Sequence, residues 1–215
     1  MTPVTAGVEE RLQAEAALER LRAKTAQIAN EFAEGKLNRA QFSAMYANYN
    51  ERRVIIEQIL ARDPDSQAWQ RVARPGHTGF LKRHFEARIL SHTIYNYGVP
   101  FDNALIARHG TMPLANDVSE KTLAALNVII RDRGNPGPLL KSLDNGRWMA
   151  IVPGKHTVGI ALFSLEPSDQ QFLQIQDVHA DFERANRVVL DRGIRVQEQL
   201  VFPDRALFER PSNTG

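Results

Sequence analysis

Residues 134–167 read GNPGPLLKSLDNGRWMAIVPGKHTVGIALFSLEP, and two turn signals inside that stretch divide it into three strands. Asn145-Gly146 lies between apolar runs, and because both residues tolerate positive φ the pair is the strongest short hairpin signal. Pro153-Gly154 suits the central positions of a type II turn, Pro fixing φ at the first and Gly supplying φ > 0 at the second. An antiparallel meander follows. Its last strand, His156 to Leu165, is apolar on both faces: Val158, Ile160 and Leu162 point one way, Ala161, Phe163 and Leu165 the other. A strand buried on both sides requires cover on both sides, so this sheet is expected to carry helices, or a partner, on each face.

The remainder of the 215 residues has room for one domain with an appendage, or two small domains. Hydrophobic residues make up 43%, enough for a core, and a formal charge of +2 is too small a surplus to imply nucleic acid. Without cysteine there is no disulfide framework, thiolate nucleophile or Cys-ligated metal. The opening MTPVTAGVEERLQAEAAL is charged and helical in character, with no basic segment leading into an apolar one, so no signal peptide is expected. No run approaches the roughly 18 apolar residues of a membrane span. A soluble, cytoplasmic chain is the expectation.

Four segments are expected: a helical hairpin arm at 1–66, a linker at 67–86, an α+β domain at 87–202 and a tail at 203–215. Within the arm, Ala14, Leu18, Leu21, Thr25, Ile28 and Phe32 recur at spacings of three and four. Phe42, Tyr46, Tyr49, Arg53, Ile56 and Leu60 repeat that spacing, with Gly35 suited to end the first helix and Asn38 to cap the second. Two matching seams joined by a short turn predict an antiparallel αα-hairpin. Arg53 interrupts its seam, so it must reach water or meet a carboxylate. Asp63-Pro64 ends the second helix. Trp69 and Val72 suggest one short helical turn in the linker.

Ala87–Tyr97 and Asn103–His109 read as strands. Asp117–Arg133 reads as a helix, with Asp117 and Glu120 as a capping box and Gly134 as its stop; Val118, Leu126, Ile129 and Ile130 lie on its inner face. Ser168 and Gln171 form a second box, opening a long helix that runs to Gly193. Ile194–Phe202 is a further strand or a packed extension. The predicted domain is therefore α+β: a five-stranded antiparallel sheet flanked by helices, in the order αββαβββα.

No nucleophile elbow, nucleotide fingerprint or helical zinc motif occurs among these residues. The histidines His77, His84, His92, His109, His156 and His179 show no ligand spacing. Asp177 and Asp181 share a helix face, and Glu183 is spaced for an ordinary ion pair with Arg187. No catalytic, cofactor-binding or metal-binding residues are assigned, and no enzyme activity is expected. The basic run Arg71–Arg88 reads either as a solvated linker or as an anion contact made by Arg74, His77, Lys82 and Arg83.

The segments ALIARHG (104–110), the helix ending at Gly134, and LLKSLDNGRWMAIVPGKHTVGIALFSL with its capped helix follow the element order of a known fold. In that order the chain resembles the roadblock family of the profilin-like group, whose members include bacterial regulators of small Ras-like GTPases. The resemblance covers about half the chain. It implies a non-catalytic homodimer formed through the central helix and a neighbouring strand edge, able to bind a small GTPase or scaffold protein. Partner contacts would then fall at Val118, Leu126, Ile129 and Ile130 of the central helix and at Trp148 of the meander. Sensor domains of the PAS and GAF type have similar meanders. Their alternative is a small-molecule pocket lined by Trp148, Phe163 and the final helix. Neither a membrane nor nucleic acid is expected as a partner.

Overall fold

The computed structural model describes residues 3–74, 78–96 and 103–208. The chain is α+β and divides into two compact units, Met1–Glu86 and Ala87–Gly215. No helix among the described residues is long and apolar enough to cross a membrane.

In the first unit, α1 (Pro3–Ala33) and α2 (Arg39–Arg62) form the expected hairpin. Ala14, Ala17, Leu21 and Ile28 pack against Met45, Tyr49 and Ile56. Asn38 caps α2 reciprocally with Gln41: its Oδ1 accepts from the Gln41 amide at 2.8 Å, and Gln41 Oε1 accepts from the Asn38 amide at 2.9 Å. The amide groups left over reach outward. Asn38 Nδ2 donates to the Phe85 carbonyl and Gln41 Nε2 to that of Lys82, so one cap also holds the end of α4 (Thr78–His84). Arg53 meets a carboxylate, donating to both oxygens of Glu57 at 2.9 and 3.1 Å. Residues 67–86, expected as a linker, carry α3 (Trp69–Ala73) and α4 instead, with Trp69 and Leu81 in the arm's own core.

The second unit is built on five antiparallel strands: β1 (Ile89–Asn96), β2 (Leu105–Gly110), β3 (Leu139–Ser142), β4 (Trp148–Pro153) and β5 (Thr157–Phe163). Their order is β2-β1-β5-β4-β3. Central β5 is buried at every position, as its doubly apolar sequence requires. Val158, Ile160 and Leu162 face α5 (Asn116–Arg133), beneath Leu123 and Leu126. Ala161 and Phe163 face α6 (Asp169–Ala185), beneath Ile175. Ser168 and Gln171 make the expected capping box, and Gln171 Nε2 also donates to the Ala87 carbonyl.

Four local expectations are corrected. At Asn145-Gly146 only Gly146 has positive φ, at 75°. The Gly146 amide bonds to Leu143 O and the Leu143 amide to Arg147 O, which gives a three-residue loop in place of the two-residue turn. Pro153 ends β4 as a strand residue, and the turn instead runs from Gly154 to Thr157, where the Gly154 amide bonds to Thr157 O. The N-cap of α5 is Ala115, which has no capping side chain, so Asp117 and Glu120 form no box. The final helix breaks at Asn186, before α7 (Arg187–Asp191). Asn186 donates to Phe182 O and Val201 O and accepts from the Val201 amide, so its side chain serves as hydrogen-bond partner to the returning chain. Residues 194–202 thus dock as an extension, with Leu200 and Phe202 buried against Phe182.

Candidate functional site

The central helix and the sheet edge beside it form one candidate surface. β3 is a four-residue edge strand with no further strand beyond it among the described residues. Between β3 and α5 runs a groove of about 440 Å³, floored by Leu126, Ile129, Leu139 and Ile151. Val128, Ile129 and Leu139 are 55%, 37% and 41% exposed. Asp117 and Asp144 border the groove together with Lys121 and Lys141. Of the residues expected at a partner interface, Ile129 stands on this surface. Leu126 is buried in the core, and Val118 and Ile130 are partly buried against it. Trp148 lies on the opposite face of the sheet, packed with Phe163 and Ile175. Phe163 and Ile175 are themselves fully buried.

The basic segment is only partly assembled. Lys82 pairs with Glu31 at 3.0 Å, Arg83 is exposed, and Arg74 ends α3, its carbonyl accepting from Arg52. His77 lies outside the described residues. Hydrogen bonding to Lys82 holds the Glu31 carboxyl below its usual range.

A third arrangement joins residues that the sequence scatters over more than a hundred positions. Asp204 Oδ2 accepts from His92 Nδ1 at 2.8 Å and from His109 Nδ1 at 2.7 Å. Arg205 Nε donates to His109 Nε2 at 3.4 Å, which assigns the His109 proton to Nδ1. His179 Nε2 faces the Thr157 carbonyl at 3.4 Å, which leaves its Nδ1 as a lone pair. His92 Nε2 and His179 Nδ1 are buried without partners. They converge above Gly159, where a Cβ would fall 2.8 and 2.7 Å from them, so only glycine fits there. Burial, and then charge on His92, lower the His179 pKa to about 4. Burial works to raise Asp204, but hydrogen bonds from His92 and His109 hold it below its ordinary value.

Glu183, one turn beyond His179, does not pair with Arg187. It turns inward and accepts four hydrogen bonds from the β4–β5 turn: the amides of Lys155, His156 and Thr157, and Thr157 Oγ1. These bonds outweigh the upward effect of burial and keep its pKa low. Gly154 has no Cβ because the Glu183 carboxylate occupies that space.

No family model matches the chain, and neither does any curated protein.

His92, His179 and Asp204 are 0–1% exposed, so the network works as an internal brace tying β1, β2 and α6 to the 3₁₀ turn Pro203–Leu207. No group of three or more His, Cys, Asp or Glu among the described residues is placed to hold a metal ion. Asp177 and Asp181 lie on the exposed side of α6, Asp181 pairing with Arg184. Sequence reading missed the brace because Asp204 sat in the expected tail. The apolar Val201-Phe202 just before it was the available signal that this tail is anchored.

Proposed function

We propose that the Ala87–Gly215 unit is a non-catalytic interaction module that pairs with a second copy of itself through α5 and the β3 edge. The observation that supports this most is the exposed apolar strip of Ile129 and Leu139 beside a strand edge that no described strand covers. Exposed edges template pairing unless something covers them. A two-fold pairing brings the same patch against itself, so any charge on it needs an opposite charge within the same patch. Here Asp117 and Asp144 can meet Lys121 and Lys141 of the second copy. The resemblance to roadblock domains supports the same geometry, with the paired sheets presenting a surface to a small GTPase or scaffold protein.

Light scattering on the purified chain tests the reading. The wild type is expected as a dimer at micromolar concentration. Ile129→Asp, which places a charge in the strip while leaving the core intact, is expected to be a folded monomer. A wild-type monomer, or a dimer indifferent to Ile129→Asp, would overturn it.

A further inference from the structure

A separate cavity of about 640 Å³ opens on the α5 side of the sheet. Leu114, Val118, Leu143 and Leu162 give it an apolar lining. Arg108 of β2 and Arg147, just before β4, complete the lining. Three strand spacings separate β2 from β4, about 14 Å in all, a span that the long arms of exposed Arg108 and half-buried Arg147 can bridge to meet one group. Neither guanidinium has an acidic partner among the described residues. The one acid lining the cavity is Asp144, and it is not paired with either arginine. Two like charges facing one partly apolar space repel each other until an anion lies between them. Guanidinium groups recognise phosphate and carboxylate oxygens through paired, charge-assisted hydrogen bonds. The volume falls within the range of small-molecule sites, about 300–1,000 Å³.

We infer that this cavity binds a small organic anion, its phosphate or carboxylate held between Arg108 and Arg147 and its apolar body against Leu114, Val118 and Leu162. The site belongs to a single chain and is independent of self-association, although Val118, Leu143 and Asp144 border both this cavity and the β3 groove.

Calorimetric titration of the full chain at low salt tests this, with phenyl phosphate, benzoate, inorganic phosphate and benzyl alcohol as probes. Phenyl phosphate or benzoate is expected to bind at one site per chain, and whichever binds tighter identifies the charged end. Inorganic phosphate, lacking the apolar body, is expected to bind more weakly than the better of the two. Arg108→Gln and Arg147→Gln are each expected to weaken binding roughly tenfold, the loss typical of a charge-assisted bond, while Asp144→Asn strengthens it. Ile129→Asp is expected to bind like the wild type, so a failed dimer leaves this result standing. The inference is overturned by the absence of saturable binding up to about 10 mM, a millimolar ceiling that marks negligible affinity. Benzyl alcohol binding as well as the anions, affinity unchanged in the Arg108→Gln/Arg147→Gln double variant, or binding lost in Ile129→Asp would each overturn it too.

Discussion

Acidification should loosen the second unit well before its carboxylates titrate, and His179 sets the window. In an unfolded chain this imidazole takes up a proton near pH 6.5; in the folded protein it does so only near 4. Between those values the unfolded state binds more protons, so stability falls as pH falls and is fully present above 6.5. At about 1.36 kcal/mol per pKa unit, the loss comes to about 2 kcal/mol by pH 5 and about 3 kcal/mol by pH 4. Asp204 and Glu183 act in the same direction, because their pKa values are lowered, and their share is lost as pH falls below their ordinary values of 3.8 and 4.5, at the acid end of the His179 window and beyond. Urea unfolding between pH 7.5 and 4.5 measures the effect, followed by Trp148 fluorescence in a Trp69→Phe background so that the signal reports the second unit alone. With an m-value of about 1–3 kcal/mol per molar, the midpoint should move by about 1 M between pH 7 and pH 5. His179→Gln is destabilised throughout but should lose most of the slope. A wild-type midpoint that is flat from pH 7 to pH 5, or a slope unchanged by His179→Gln, would refute the reasoning.

Other substitutions test the remaining braces. Gly159→Ala places a methyl group against two buried imidazoles and should cost about 1–3 kcal/mol by thermal unfolding, the usual range for overpacking. Glu183→Ala leaves the β4–β5 turn amides without their acceptor; loss of several charge-assisted bonds should cost at least about 2 kcal/mol and speed hydrogen exchange at Lys155, His156 and Thr157. Asn38→Ala removes both the α2 cap and the tie to Phe85, so the arm should lose at least about 1 kcal/mol, read by the fall in helical circular dichroism on heating.

The parts of the fold legible in the sequence were those set by local rules. β5 announces its double burial through unbroken apolar residues from Val158 to Phe163, and the Ser168 and Asn38 caps use side chains that report their role within four positions. The hairpin seams of α1 and α2 follow from spacing alone. Less legible were features decided by partners distant in sequence. Pro153-Gly154 has turn chemistry, yet the Glu183 carboxylate accepts from the amides after it, and the turn lies two residues further on, from Gly154 to Thr157. The periodic helix breaks at Asn186, whose side chain bonds both the carbonyl and the amide of Val201, fifteen positions on. The histidine brace draws on β1, β2, α6 and the 3₁₀ turn at Pro203–Leu207, and no spacing rule spans that distance. Arg53 was readable as a demand for a partner, and Glu57, one turn away, meets it.

Because the chain has no cysteine, a single introduced thiol reports on self-association directly. Leu139→Cys places it in the apolar strip on the β3 edge, and Leu173→Cys places a control on the exposed side of α6. Under mild oxidation the account predicts a disulfide-linked dimer of twice 24.2 kDa from Leu139→Cys and little from the control. Leu139→Cys remaining at the single-chain mass, or both variants cross-linking equally, would contradict it.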